Sequence, residues 1–197
     1  MAFKLVLPLT KPLFVVEEVT LVHQLQSKKE KEAAFRTLVT QYKERLYWHI
    51  RKIVINHDDT DDVLQNTFIK VFKNIDKFKG DSKLYTWMYR IATNESLTFI
   101  AKRAKQQNVS VEEVKEHALN NLESDVHFEG DAIQITLQKA INTLPEKQQL
   151  VFNMKYFDNM KYEELSKILD ISVGGLKSSY HIAVKKITAF IEGHETF

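Results

Sequence analysis

The chain has no cysteine, and its 197 residues include only three prolines and five glycines. Without cysteine there is no disulfide framework, no thiolate metal site and no cysteine nucleophile. So few turn formers argue against a β-sandwich and against a low-complexity chain. No apolar run approaches the roughly 18 residues of a membrane span. The apolar opening MAFKLVLPLTKPLFVV is broken by Pro8, Lys11 and Pro12, and no small-residue cleavage site follows it. A cytoplasmic protein with no membrane span is expected.

A net charge of +2 says little until it is divided along the chain. Residues 31–104 carry 14 basic and 9 acidic groups, 105–131 carry 2 and 7, and 132–197 carry 8 and 7. A basic block and a nearly neutral block thus flank a polar, acidic stretch. That stretch reads as a linker, either a solvated loop or a short helix. Periodicity is helical almost throughout, with helices expected at about 20–28, 30–55, 60–77, 83–104, 131–143, 146–156, 161–169 and 173–191. The fold class is all-α. Two small domains are expected, at 20–104 and 131–192, joined by a linker at 105–130. Residues 1–19 form an N-terminal arm to which no role is assigned.

Three segments carry more than periodicity. In the first, His57 to Phe78, residues Asp58, Asp59 and Thr60 are candidate caps, and first-turn carboxylates favour the positive end of a helix dipole. At about 100° per residue, Leu64, Phe68, Val71, Phe72, Ile75 and Phe78 share the core arc. Asp62, Asn66, Ile69 and Lys73 lie opposite, with Gln65 beside them. Ile69 is either an ordinary exposed apolar residue or the anchor of a docking face. The acids do not suggest a metal site: adjacent helical residues do not converge on a point, and the glycine of a calcium loop is missing.

The second segment runs from Phe78 to Asn94. A polar loop, Lys79-Gly80-Asp81-Ser82-Lys83, leads into a helix holding Tyr85, Trp87, Tyr89 and Arg90, and Lys102 and Arg103 follow further along. Cations interleaved with rings suit single-stranded nucleic acid, phosphate meeting charge and bases stacking on rings. Trp87, Met88 and Ile91 are assigned to the core. In the third segment, Tyr162 to Ile187, a short helix ends at Asp170 and a turn passes through Ile171. A second helix then starts at the natural N-cap Ser172. Val173, Leu176, Tyr180, Ala183, Val184 and Ile187 share its inner arc. Gly174, Ser178, His181 and Lys185 lie outside with Lys177 on the flank, as a recognition helix in a major groove requires.

Taken in order, the acidic capped helix, the FKGDS…TWMYRIATN stretch, the acidic linker and the helix-turn-helix resemble the sigma-70 family of RNA polymerase sigma factors. The likeness is to its extracytoplasmic-function (ECF) group and covers about residues 20–190. It implies an all-α fold with sigma region 2 as a helix bundle at 20–104 and region 4 as a winged-helix-like helix-turn-helix at 131–192. It further implies that Asp59, Asp61, Asp62 and Gln65 dock on the clamp helices of core polymerase, with Ile69 on the same face and Asn66 where the family usually has Glu. Lys79, Asp81, Ser82 and Lys83 would capture a base flipped from the −10 element, and Arg90, Lys102 and Arg103 would hold the melted strand. Ser172, Gly174, Gly175, Lys177, Ser178, His181 and Lys185 would read the −35 element. Gly175 and Ser179 stand where the common pattern has Thr and Arg. The linker would follow the path of nascent RNA.

The resemblance implies core RNA polymerase and promoter DNA as partners, with room for an anti-sigma factor. It implies a promoter-specificity subunit and not an enzyme: no catalytic residue, no cofactor, no metal. The alternative is a free-standing helix-turn-helix regulator of duplex DNA, which leaves the first two segments without a task.

Overall fold

The computed structural model describes residues 17–121 and 132–194. Among them there are helices and connecting turns but no strand. None of these helices is long and apolar enough to cross a membrane. Of the expected arm, residues 1–16 lie outside the described part, as do residues 122–130 of the expected linker and residue 131 of the expected second domain.

Helix α1 spans Glu18–Gln26 and α2 Lys31–Val54. The connection from α2 to α3 is two residues long. Ile55 sits at φ 71 with the Asn56 amide donating to the Val54 carbonyl at 2.9 Å. A β-branched residue at positive φ stores roughly 1–3 kcal/mol of strain, offset here by burial of Ile55 against Leu119. Asn56 then caps α3, His57–Asn74, its side chain accepting from the Asp59 amide at 3.0 Å. The helix therefore starts three residues before the expected position 60. Asp58 and Asp59 occupy its first turn, and Thr60 turns inward, its hydroxyl donating to the Asn56 carbonyl at 2.6 Å. A 3-10 turn at Ile75–Lys77 ends the helix.

Helix α4, Leu84–Gln107, packs against both α2 and α3. Leu38, Leu46, Ile50, Val71, Ile75, Leu84 and Met88 are fully buried between them, and α1 lies across α2 with Leu21 and Leu25 inward. The core arc read along α3 is the observed one, with only Phe72 half-buried at its edge.

The stretch at 105–130, read as a linker of either solvated loop or short helix, contains a short helix. Residues Val111–Asn120 form α5, closed by a capping box in which Ser110 accepts from the Glu113 amide and Glu113 accepts from the Ser110 amide. The second bundle comprises α6 (Ala132–Asn142), α7 (Glu146–Tyr156), α8 (Tyr162–Leu169) and α9 (Val173–His194). Part of its core is its own: Ala140, Ile141, Leu144, Phe152, Ala183 and Ile187. The rest, including Leu150, Met154, Met160, Leu165 and Ile168, is continuous with the buried cluster of the first bundle.

Candidate nucleic-acid and partner interfaces

On α3, Asp61, Asp62, Gln65 and Asn66 are exposed, and Ile69 keeps 45% of its surface open beside them. Rigid packing of the opposite face fixes this array in place. Asp61 faces the His57 imidazole at 3.8 Å. Asp59 does not join the array: its carboxylate pairs with Arg103 of α4 and is largely covered. One pairing thus joins a residue from each of two expected sites. Lys102 is exposed on α4 but stands 12 residues beyond Arg90, about 18 Å along the helix.

The loop between Phe78 and Lys83 is held from three sides. Gln26 of α1 donates to the carbonyls of Ile75 and Phe78 at 3.2 and 2.9 Å. Glu18 accepts from the Leu84 amide at 2.7 Å, capping α4 from 66 residues away, since Lys83 supplies no side-chain cap. Gly80 turns the chain at φ 79, a conformation costly for any other residue. Lys79, Asp81, Lys83 and Arg90 are exposed and Ser82 half-buried. Behind them Trp87 packs on Phe78, and Arg45 lies over the rings of Tyr85 and Tyr89 at 4.8 and 5.6 Å. Met88 is in the core as expected, while Trp87 and Ile91 are only half-buried.

The third side is α8. Its Glu164 accepts from Lys83 Nζ at 3.0 Å, and its Lys167 donates to the Asp81 carbonyl at 2.6 Å. Lys83 is raised above the usual lysine range, chiefly by its bond to Glu164. Burial works to raise Glu164, but bonds from Tyr85, Lys83 and the Lys161 amide outweigh it and hold the carboxyl below its ordinary value. No residue spacing announced this arrangement, because Lys83 and Glu164 are 81 positions apart.

In the helix-turn-helix, Asp170 ends α8 at φ 55. Ser172 Oγ then accepts from the Gly175 amide at 3.2 Å to start α9. Ser172, Gly174, Lys177, Ser178, His181 and Lys185 are exposed along one side, whereas Leu176, Ala183 and Ile187 are buried. Two positions differ from the reading. Val184, placed on the inner arc, is 37% exposed. Gly175 packs into the turn: a Cβ there would stand 3.2 Å from Ile171 and 3.3 Å from Ser172, so its smallness serves the corner of the motif.

An acidic exposed helix, a braced basic loop and a helix-turn-helix are joined in one chain. Residues 38–106 match Sigma-70 region 2, and residues 134–187 match Sigma-70 region 4. Over 164 residues the sequence is 32% identical to the ECF RNA polymerase sigma factor SigW of Bacillus subtilis, spanning 79% of this chain and 88% of that one. The chain belongs to the sigma-70 family, in its ECF group. This sigma factor is also 30% identical over 153 residues to the RNA polymerase sigma-H factor of Pseudomonas aeruginosa, 74% of this chain and 79% of the other. Two solved structures share its fold. CnrH in complex with the cytosolic domain of CnrY superposes with a TM-score of 0.66 at 21% identity, covering 89% of this chain and 97% of that one. RpoE of Bartonella quintana, in complex with the anti-sigma factor NepR, gives 0.63 at 19% identity, covering 80% and 96%. Family and relatives together make the protein an RNA polymerase sigma factor that directs promoter-specific transcription.

Proposed function

We propose that this sigma factor divides its work among three surfaces and performs no chemistry of its own. Asp61, Asp62, Gln65, Asn66 and Ile69 dock on core polymerase. Lys79, Asp81, Ser82, Lys83 and Arg90 capture the melted −10 strand. Ser172, Gly174, Lys177, Ser178, His181 and Lys185 face the −35 duplex. Region 2 is read as residues 20–104 and region 4 as 131–192, with α5 in the connecting segment. Asp59 and Arg103 brace α3 against α4, so their part is to position the docking helix and the strand-holding helix. Gly175 shapes the turn of the reading motif. The site of action is wherever core polymerase works, hence the cytoplasm, and an anti-sigma factor is a further candidate partner.

The observation that carries this reading is the exposed row on α3. Acid, amide and one large apolar side chain stand together on the outer face of a helix whose inner face is fully used. Charged groups on such a face give steering and specificity, and the apolar residue gives contact area. The decisive experiment is a band shift on a promoter duplex with and without core polymerase. Specific retention that requires core polymerase supports the reading. Equal retention by the chain alone favours the free-standing regulator.

A further inference from the structure

The face of α9 assigned to the −35 duplex carries a large apolar side chain that the core does not use. Ile182 keeps 44% of its surface open, while Leu176, Ala183 and Ile187 of the same helix are buried. A lone exposed apolar residue is ordinary, but this one stands in a row. Ser178, His181, Ile182 and Lys185 are all exposed, at relative positions i, i+3, i+4 and i+7. At about 100° per residue the four fall within an arc of about 100°. Side chains at that spacing are the ones a recognition helix lays against base edges in a major groove. Val184 is exposed as well, but it lies about 160° round the helix from Ile182, on the flank of Lys177. Burial of the inner arc, and a bond from Lys186 to Gln148 of α7 at 3.4 Å, give the row a fixed support.

The four side chains differ in what they can read. A hydroxyl, an imidazole and an ammonium can hydrogen-bond to base edges or phosphates, whereas the isoleucine has neither donor nor acceptor. The apolar group that a base pair offers in the major groove is the 5-methyl of thymine. Cytosine lacks it, so an apolar contact at this place separates the two pyrimidines. Branching at Cβ also helps, since isoleucine in a helix holds essentially one χ1 rotamer and loses little freedom on contact.

We propose that Ile182 is a specificity-determining residue of −35 recognition, packing on the 5-methyl group of a thymine while Ser178, His181 and Lys185 make the polar contacts around it. The inference rests on the sigma-factor reading and deepens it by giving one side chain one chemical feature to read. Loss of the methyl contact weakens binding about fourfold, the equivalent of one buried carbon.

The test uses the full chain in holoenzyme. Duplexes randomised across the upstream element are selected for retention by holoenzyme, and each thymine of the selected −35 sequence, on either strand, is then replaced by deoxyuridine. That base pairs as thymine does and lacks only the methyl group. Filter retention of the closed complex is measured for the wild type, Ile182→Ala and Val184→Ala, with circular dichroism to check folding. The wild type should bind about fourfold more weakly when one particular thymine is replaced. Ile182→Ala should bind the two duplexes equally at that position, and Val184→Ala should keep the wild-type ratio. If Ile182→Ala does not fold, Ile182→Val takes its place, and its ratio should be smaller than that of the wild type. The inference is overturned by a selected −35 sequence without thymine, by a wild type indifferent to deoxyuridine throughout, by a wild-type ratio in the Ile182 variant, or by the same loss in Val184→Ala. Each of these leaves the sigma-factor reading standing. Failure of the wild-type holoenzyme to retain any promoter specifically overturns that reading itself.

Discussion

Thr93 Oγ1 lies 2.8 Å from the Tyr89 carbonyl and 2.9 Å from His49 Nε2, in a buried contact between α4 and α2. The Nδ1 of the same ring faces the Asp158 carboxylate at 3.4 Å. Burial lowers the His49 pKa below its ordinary value; the Asp158 hydrogen bond and charge pull the other way and lose, and Lys52 and Arg45 add to the lowering. An unfolded histidine titrates near about pH 6.5. Stability from this group is therefore fully present above that pH and declines as pH falls below it, where the unfolded chain binds a proton the native site resists. The slope approaches about 1.4 kcal/mol per pH unit for one proton. Asp158 is also held low, with burial opposing and His49 and Lys52 prevailing, and its own loss comes only well below pH 4. Urea midpoints measured at about pH 7 and about pH 5 should fall for the wild type and fall less for His49→Gln, which keeps a hydrogen-bonding group for Thr93. Equal falls in the two proteins would rule out His49 as the source. A different single residue tests the docking face. Asp62→Arg, on an exposed position, should leave the circular-dichroism spectrum unchanged and abolish capture of core polymerase in a pull-down, since charge reversal at an interface can cost several kcal/mol. Asp62 and Ile69 were legible from helical period alone. The Asp59–Arg103 pair was not, because 44 positions separate two charges that each looked available.

Helix α5 shows how a local signal can be present and outweighed. Ser110 followed by Glu113 is a capping box written in the sequence, yet the acidic balance of the surrounding stretch favoured a linker. In the structure Glu113 is held below its usual pKa by its bonds to the Ser110 amide and hydroxyl. Two inward residues, Leu119 against Ile55 and Lys115 donating to Gln149 at 2.9 Å, tie the helix to both bundles. Ser110→Ala should weaken this element selectively. Amide exchange within α5 should speed up by about fivefold, the equilibrium equivalent of a lost N-cap, while α2 and α4 keep their protection. Uniform loss across all three helices would show that α5 is not a separate opening unit. The helix-turn-helix was easier to read: an αL stop at Asp170, a serine cap two residues later and an apolar arc define it without tertiary information. Val184, assigned to that arc, is exposed instead. The α2–α3 boundary lay beyond reach, because nothing in a β-branched Ile55 suggests positive φ.

At the scale of the molecule, the two bundles were legible as units, whereas their mutual packing was not. The contacts that join them, Lys52 with Asp158 and Lys83 with Glu164, link positions 106 and 81 residues apart, and no pattern of period or spacing encodes such pairs. The two proposed DNA surfaces belong to different bundles, one on the loop before α4 and one on α9, so they can be impaired separately. Lys177 and Lys185 are exposed on α9. Replacing both with Ala should weaken the closed complex, and each lost phosphate contact should flatten the logarithmic salt slope by about 0.9. The loop surface is tested with Asp81→Ala and Ser82→Ala. Lys167 bonds the carbonyl of Asp81, not its side chain, so this change leaves that interdomain bond in place and probes strand capture alone. Extrusion of a base from its stack costs a few kcal/mol, and a loop that no longer holds the base should fail at that step while duplex binding persists. Filter binding and permanganate reactivity of promoter thymines, run on holoenzyme carrying each double variant, should therefore separate the two: weakened retention with the α9 pair, normal retention with unreactive thymines for the loop pair. Normal thymine reactivity in the loop variant, or the same defect in both, would show that the two surfaces do not divide recognition and opening between them.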